Sequence, residues 1–263
     1  MADGSLHVRG ARLAYSDEGT GPIVISAHGL LQSRANDRAA GLVDWAALPA
    51  AGYRLISYDA RGHGESEGTP EPGVYRWTSL AEDLLAVADH FSPGEPVRAI
   101  GVSMGTGTIL SALVRAPQRF AAVTLGAPPT AWQTRAAQAA MYEEFARLVE
   151  ESSADDFARM LAAAPVPPIF ERLESFPGLP AVAADLLPSV LRGAGGSDLP
   201  AEDLVAALSV PALILGWETD PGHPVVTADR LAELLPAAEL HLSATVEDIR
   251  TWAARAAAFF AAG

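Results

Sequence analysis

The sequence predicts an α/β fold: a mostly parallel β-sheet flanked by helices, with a helical segment inserted into it. Short apolar runs of strand length alternate with longer segments whose apolar residues recur at helical spacing, which is typical of parallel strands joined by crossover helices. Several of the short runs are apolar throughout, as in strands that are buried on both faces. The alternation is interrupted once, between residues 129 and 205, and then resumes.

Composition and charge narrow the class of protein. The chain has 263 residues, of which 49% are hydrophobic, so a large core can form. A formal net charge of −14 argues against nucleic acid or an anionic membrane surface as a partner. There is no cysteine, and the N-terminal residues lack the apolar segment of a signal peptide. We therefore expect a cytosolic protein without disulfides, and no sequence feature marks a subunit interface.

The first half of the chain follows the alternating pattern. Residues 6–14 alternate loosely between apolar and polar side chains, whereas 22–27 form a continuous apolar run. Residues 78–91 repeat apolar side chains at helical spacing, after Thr78 or Ser79 as the cap. The elements predicted for this half are a strand at 6–14, a turn at 17–21, a strand at 22–27, a helix at 42–51, a strand at 53–58, a helix at 78–91 and a strand at 97–100.

The second half contains the interruption. Residues 129–205 first carry helical patterns and are then divided by prolines at 165–168, 177–180, 188 and 200. The glycine-rich residues 193–196 predict a flexible joint. We therefore predict a core of residues 1–128 and 206–263 and a helical cap of residues 129–205. The elements predicted for this half are a strand at 121–125, helices at 132–150 and 155–163, a strand at 210–216, a helix at 225–235, a strand at 239–243 and a helix at 246–262.

Ser103 is the centre of the candidate site. It lies in Gly101-Val102-Ser103-Met104-Gly105, between a predicted strand and the small-residue start of a helix. Such a turn forces the serine into a strained backbone conformation, and residues without bulk two positions away let the strand and the helix pass closely. The strain presents the hydroxyl beyond the edge of the sheet. The alternative is an ordinary glycine-rich turn, which the flanking context disfavours.

Four sequence blocks resemble the α/β-hydrolase family, in the form with a helical cap between the sixth and seventh core strands. His28-Gly29-Leu30 resembles the oxyanion loop, and residues 59–66 resemble the D-x-R-G-x-G-x-S loop. Residues 101–105 resemble the nucleophile elbow, and 210–220 resemble the strand and loop that supply the acid. The resemblance covers nearly the whole chain outside the predicted cap.

The resemblance implies a role for each matching residue. Ser103 would be the nucleophile, and the backbone N–H groups of Leu30 and Met104 would form the oxyanion hole. Asp220 would orient a histidine and stabilise its charged form. The alternative for Asp220 is a loop aspartate that caps the following helix.

The family's histidine is missing from its usual place. Residues 243–249, which follow the last predicted strand, contain none, and no histidine occurs after His241. His223 is the best remaining candidate for the base, because its loop should lie at the carboxyl ends of the strands, where ligands bind. Its closeness to Asp220 in sequence argues against it, since one imidazole must reach both Asp220 and Ser103. The alternative is a residue that shapes the turn or lines the pocket.

The other five histidines have mainly structural interpretations. His7 lies on the first strand, His63 in the glycine-rich loop, and His90 late in a surface helix. We expect His28 to shape the oxyanion loop and contact substrate. His241 is expected to be a partly buried residue of the last strand.

Two carboxylates and several aromatic side chains complete the candidates. Glu247 and Asp248 fall where the histidine is missing and could act as a base, but helix capping is favoured. Trp132 and Trp217 are predicted to contact substrate, with core packing as the alternative, whereas core packing is favoured for Phe145. Met141 fits either role. No phosphate-cradling or metal-ligating spacing occurs, so no cofactor and no metal are predicted.

The sequence thus predicts a serine hydrolase that cleaves an ester, thioester or lactone of a small apolar molecule through an acyl-enzyme on Ser103. The missing histidine motivates an alternative: a non-hydrolytic lyase, cyclase, isomerase or ligand-binding protein with the same fold. A third interpretation, an interaction module without a pocket, is disfavoured because it needs no strained serine.

Overall fold

The computed structural model describes residues 2–43, 45–173 and 179–262. The strands within these ranges are β1 (Ala2–Val8), β2 (Ala11–Gly19), β3 (Ile23–Ala27), β4 (Arg54–Tyr58), β5 (Val97–Val102), β6 (Phe120–Gly126), β7 (Ala212–Trp217) and β8 (Ala238–Ser243). They form one sheet in the order β1-β2-β4-β3-β5-β6-β7-β8. The pairs from β4 to β8 are parallel, and β1 and β2 are antiparallel strands at one edge. The predicted fold class is therefore confirmed.

Helices connect most of these strands. In the described ranges they are α1 (Arg34–Ala40), α2 (Ala47–Ala50), α3 (Trp77–Phe91), α4 (Met104–Arg115), α5 (Arg135–Glu151), α6 (Ala154–Ala163), α7 (Leu187–Gly195), α8 (Glu202–Ala206), α9 (Val225–Leu234), α10 (Val246–Ile249) and α11 (Trp252–Ala262). None of them is long and apolar enough to cross a lipid bilayer.

The sheet lies between two apolar layers. Residues of α3, α4 and α9 pack on one face, and α2 and α11 pack on the other. Because successive side chains of a strand point to opposite faces, Val24 and Ile25 of β3 belong to different layers. Burial on both faces explains why the central strands are continuous apolar runs in the sequence.

The N-terminal prediction was wrong in its details. Residues 6–14 are not one strand, because Arg9 and Gly10 form a two-residue hairpin turn between β1 and β2. Both residues have positive φ, 46° and 81°, as the hairpin turns that match strand twist require. The turn predicted at 17–21 was also wrong over 17–19, which lie in β2.

Two helix predictions also differ from the structure. The predicted helix at 42–51 is reduced to α2, and α1 was not predicted. Yet α1 has ordinary signals: the Ser33 side chain accepts from the Asn36 amide, and Gly41 ends the helix with φ of 58°. None of its residues is buried, so it lacks the apolar stripe that identifies longer helices. The helix predicted at 246–262 is two helices, α10 and α11.

The segment between β6 and β7 holds α5 to α8. Phe145 packs in a separate apolar cluster of this segment with Phe157, at a ring-centroid distance of 5.4 Å, whereas Met141 is exposed.

The flexible joint predicted at 193–196 was wrong, because 193–195 lie in α7. A Cβ on Gly193 would lie 2.5 Å from the Tyr75 Cβ, so close packing accounts for this glycine. The predicted proline-rich stretch 177–180 lies outside the described residues at positions 177 and 178. The division into core and cap stays a prediction.

Candidate active site

Ser103 lies at the sharp turn between β5 and α4, with φ of 54° and ψ of −108°. A Cβ on Gly101 would lie 2.4 Å from the Gly105 carbonyl group, and one on Gly105 would lie 2.0 Å from the carbonyl oxygen of Ala27. Both glycines are therefore needed for the close approach of strand and helix. The amide of Ser103 donates to the Gly126 carbonyl at 3.0 Å, which helps to hold the strained residue in place.

A chain of short contacts joins the three residues Ser103, His223 and Asp220. Oγ of Ser103 lies 2.7 Å from Nε2 of His223, and Nδ1 of His223 lies 2.7 Å from Oδ2 of Asp220. With the imidazole proton on Nδ1, Ser103 donates to His223 and His223 donates to Asp220. One imidazole thus contacts both partners, and the geometric objection to His223 was wrong.

The loop after β7 brings the imidazole back over the carboxylate. The His223 amide donates to the Asp220 carbonyl at 3.1 Å, and the Gly222 amide donates to Oδ1 of the same residue at 2.9 Å. Thr219, just before this turn, has a positive φ of 65°. These contacts fold residues 220–223 into a tight turn, which lets residues three apart in sequence face each other.

Trp217 supports the same carboxylate from the end of β7. Its indole N–H donates to Oδ2 of Asp220 at 3.0 Å. Its ring meets His223 edge-on, with centroids 5.4 Å apart, and stacks on Trp252 at 5.3 Å. The sequence predicted Trp217 as a substrate contact, but nothing in the pattern indicated its hydrogen bond to Asp220.

The residues around the place where the family's histidine was expected bond to one another. Trp252, the first residue of α11, donates its indole N–H to Oγ of Ser243, the last residue of β8, at 2.9 Å. Further along, Thr245 accepts from the Asp248 amide and caps α10, and Asp248 pairs with His241 at 2.8 Å. The capping role predicted for Glu247 and Asp248 was therefore wrong, because Thr245 is the cap, whereas His241 is a half-buried residue of β8 as expected.

Hydrogen bonding keeps Asp220 ionised. Burial by itself raises the pKa of the Asp220 carboxyl, but the hydrogen bond and charge of His223, with further donors from Gly222 and Trp217, outweigh burial and lower it overall. A carboxylate in this position stabilises a protonated imidazole beside it.

Two backbone amides lie near Ser103, those of Leu30 and Met104. Gly29, which precedes Leu30, lies so close that a Cβ on it would be 3.7 Å from the Ser103 Cβ. Met104 is the first residue of α4, where amides have no partner within the helix and the helix dipole is positive. Neither the Leu30 nor the Met104 amide donates to a backbone carbonyl in the described part of the chain. Both are available to a ligand oxygen.

His28 is buried behind this loop. Its Nδ1 donates to the Gly29 carbonyl at 2.8 Å, and its Nε2 accepts from the Ala60 amide at 2.9 Å. Burial lowers the pKa of His28 to about 4, so the ring is neutral and suited to both bonds. The side chain thus links residues 28–29 to the loop that begins after β4.

A cavity of about 570 Å³ lies in front of the Ser103 hydroxyl. Most of its wall is apolar. Its described lining residues are Gly29, Leu30, Gln32, Asn36, Asp37, Ala39, Ala40, Leu42, Val43, Trp45, Val102, Ser103, Leu173, Leu179, Trp217 and His223. Of the predicted substrate contacts, Trp217 is in this wall, whereas His28 and Trp132 are not among the lining residues that the structure describes. Trp132 donates its indole N–H to the Pro200 carbonyl at 3.0 Å and packs against the core instead.

Most residues of this wall were not predicted from the sequence, because many of them belong to α1 and to the residues that follow it. The capping signals at Ser33 and Gly41 would have placed a helix directly after the oxyanion loop. A helix there necessarily borders the space in front of Ser103.

The α/β-hydrolase class of proteins is defined by a parallel sheet that presents a serine on a strained strand–helix turn. An acid and a histidine are supplied from later parts of the chain. Residues 22–247 match the family model of the alpha/beta hydrolase fold. The chain therefore belongs to the α/β-hydrolase family.

Individual relatives are more distant. The Mycobacterium tuberculosis protein named "Probable oxidoreductase EphD" is 33% identical over 129 residues, which is 46% of this chain and 20% of that protein. The 3-oxoadipate enol-lactonase 2 of Acinetobacter baylyi is 37% identical over 90 residues, 32% of this chain and 33% of that protein. The matches thus span a fifth to a third of these curated relatives. A hydrolase from Pseudomonas aeruginosa PA01 superimposes with a TM-score of 0.75 at 21% identity, covering 99% of this chain and 97% of that one, and so shares the fold.

Proposed function

We propose that the protein hydrolyses a carboxylic ester, thioester or lactone of a small, mainly apolar molecule through an acyl-enzyme on Ser103. The observation that carries this proposal is the pair of 2.7 Å contacts that link Ser103, His223 and Asp220 in front of a cavity. A serine hydroxyl is a weak nucleophile unless a base accepts its proton, and His223 is positioned to do so.

Acylation begins as Ser103 Oγ attacks the substrate's carbonyl carbon and its proton passes to Nε2 of His223. The carbonyl π electrons move to oxygen, and the Leu30 and Met104 amides donate to that oxyanion. Asp220 stabilises the imidazolium through Nδ1–H. The oxyanion then collapses, the bond to the leaving oxygen or sulfur breaks, and Nε2–H protonates the leaving group.

Deacylation repeats these steps with water. His223 takes a proton from water as its oxygen attacks the acyl carbon, and the same two amides hold the second oxyanion. The bond to Ser103 Oγ breaks, and the imidazolium returns the proton to the serine. The acid product leaves, and the enzyme returns to its starting state.

The cavity supports a small-molecule substrate. Its volume falls within the range of about 300–1,000 Å³ of ordinary ligand sites. The wall offers aliphatic and indole surface from residues such as Leu42, Val43 and Trp45. The name of the Acinetobacter relative, an enol-lactonase, is consistent with lactones within the substrate class.

Covalent labelling tests the proposal. A fluorophosphonate probe should add to Ser103, and mass spectrometry of the digested protein should find the adduct on the peptide that contains residues 101–105. Ser103→Ala should abolish labelling, whereas Ser111→Ala, on the same helix, should leave it intact. Folded protein that takes up no probe under conditions that label a known serine esterase would overturn the proposal.

The non-hydrolytic alternative was motivated by the missing histidine, and the contact between His223 and Ser103 favours hydrolysis instead. Ser103→Ala separates the two in a turnover assay. Loss of activity by several powers of ten supports the acyl-enzyme route, whereas unchanged turnover of the same substrate supports chemistry that does not use the hydroxyl.

A further inference from the structure

The cavity wall has polar side chains besides Ser103 and His223. They are those of Gln32, Asn36 and Asp37, within and just before α1. Asp37 is the charged residue of the described lining, and nearly all the remaining wall is apolar. Asp37 is half-buried, and a carboxyl group that loses part of its hydration in such a wall is destabilised unless something donates to it.

Two neighbours of Asp37 have other partners. Asn36 donates its side-chain amide to the Leu179 carbonyl at 3.1 Å. Arg34 pairs with Asp59 and Glu65. In the described ranges of the chain, no hydrogen bond or ion pair reaches the side chain of Asp37.

The surroundings of Asp37 oppose its ionisation. Burial raises the pKa of this carboxyl to about 7, and the nearby charge of Asp59 adds to the effect. A ligand group that donates a hydrogen bond, or that carries a positive charge, would relieve this penalty. A perturbed carboxyl in a cavity beside a candidate nucleophile is a candidate recognition group on these physical grounds.

We propose that Asp37 is a specificity-determining residue, which accepts a hydrogen bond from a hydroxyl or ammonium group on a part of the substrate other than the reacting carbonyl. The inference rests on the proposed function, because it names the substrate class of that same site. The substrate would then be an ester, thioester or lactone whose hydrocarbon body contacts the apolar wall and whose polar substituent reaches α1.

A structural role for Asp37 is the competing explanation. The residue also borders a small cavity of about 30 Å³, which is lined by polar groups that include Ser26, Ser57 and Tyr58. That space is large enough for about one or two water molecules. If water in this cavity is the partner of the carboxyl, changing Asp37 will not change which substrates are preferred.

A set of matched esters tests the proposal. Four p-nitrophenyl esters of equal acyl length would end in a methyl, hydroxyl, ammonium or carboxylate group, and kcat/KM would be measured for each. The wild type should prefer the hydroxyl or the ammonium ester to the methyl ester by about tenfold, the effect of one hydrogen bond to a charged group. The carboxylate ester should be the poorest substrate.

Variants identify the residue and the donor. Asp37→Leu should remove the preference, lowering the ratio to the methyl ester about tenfold. Asp37→Asn, which retains an acceptor oxygen, should keep a hydroxyl preference and lose an ammonium preference. Asp203→Leu removes an exposed carboxylate outside the described cavity lining, and it should leave every ratio unchanged.

The outcomes separate the two proposals. If no ester is turned over in a Ser103-dependent manner, the proposed function fails. If the methyl ester is turned over and the ratios are equal in wild type and Asp37→Leu, the assignment of Asp37 is overturned while hydrolysis stands. If Asp37→Leu fails to fold, Asp37→Asn tests the ammonium preference, which this variant should lose. The hydroxyl preference is then tested by measuring how tightly the Ser103→Ala variant binds the acyl amides that match the methyl and hydroxyl esters. Equal binding of the methyl and hydroxyl amides would overturn the assignment.

Discussion

The indole of Trp217 and the Nδ1 of His223 reach the same carboxylate oxygen, Oδ2 of Asp220, at 3.0 Å and 2.7 Å. The orientation of His223 therefore depends on a carboxylate that is fixed from the end of β7 as well as by its own turn. Trp217 also packs edge-on against the imidazole. We regard it as a positioning residue, which acts on Ser103 only through Asp220 and His223.

Trp217→Phe should impair turnover without unfolding the protein. Phenylalanine keeps an aromatic ring but loses the N–H donor, so Asp220 is held less firmly and attracts the Nδ1 proton of His223 more strongly. We expect kcat to fall about three- to thirtyfold, with a smaller change in KM. Both constants would be measured by steady-state kinetics on an activated ester.

Trp252→Phe is the matched control for this prediction. It removes an indole N–H that donates to Ser243 and keeps a ring beneath Trp217. Stability should fall, but kcat should stay within about twofold of the wild-type value. Losses of kcat of equal size in both variants would show that general loosening, rather than the bond to Asp220, limits turnover.

The fold was predictable where burial determines the residue types. Strands β3 and β6 are buried on both faces, and their apolar runs place them within one or two residues. The hairpin at Arg9 was not predictable by the same means, because it depends on a positive φ at a residue that is not glycine. Helix α1 was not predicted because it buries no side chain and so has no apolar stripe.

The candidate site was predictable in part for a similar reason. The steric demand of the turn fixes glycines around Ser103, so that position is visible in the sequence. The contact between His223 and Asp220 depends on the backbone conformation of the turn at 220–223 and on the positive φ of Thr219 before it. The spacing of the two residues in the sequence does not determine this conformation. The Trp217 bond depends on the local conformation at the end of β7, and the exposure of Asp37 to the cavity depends on packing between segments far apart in sequence.

Removal of the imidazole should stop turnover at the chemical step. His223→Ala leaves the Ser103 hydroxyl without a base, and we expect kcat to fall by about 10³-fold or more, with KM little changed. Steady-state kinetics on an activated ester would measure both constants. His241→Ala removes an imidazole that pairs with Asp248, and it should leave kcat within about twofold. Comparable losses in both variants would contradict the assignment of His223.

Gly105 should tolerate no side chain. The Cβ of an alanine there would lie 2.0 Å from the backbone oxygen of Ala27, which cannot move without displacing β3. We expect Gly105→Ala to lower the free energy of unfolding by about 3 kcal/mol or more. Gly73→Ala is the control, since a Cβ there meets nothing within 4 Å, and it should be nearly neutral. Urea denaturation of both variants gives the comparison, and similar midpoints would contradict the prediction.

Two buried histidines lie side by side beneath the site. The rings of His28 and His63 have centroids 5.2 Å apart. Burial lowers the pKa of His63 to about 3, with the neighbouring His28 adding to the effect, whereas the ordinary value is 6.5. Between these two values the unfolded chain binds a proton that the folded chain excludes, so the free energy of unfolding falls as pH falls. Asp37 acts in the opposite sense below pH 7, because its pKa is raised by folding.

Comparing wild type with His63→Leu isolates the contribution of one ring from these opposing effects. Leucine leaves the Arg61 carbonyl without its donor, which is a constant cost at every pH. The variant no longer has the proton site, so between pH 6 and 4 the wild type should lose about 1.4 kcal/mol per pH unit more than the variant does. Urea unfolding at pH 7.5, 6, 5 and 4 measures this difference. His90→Leu, on the exposed end of α3, should give a curve closer to that of the wild type. If the wild-type and His63→Leu curves run parallel across this range, His63 is not excluded from protonation in the folded state, and the acid sensitivity has another origin.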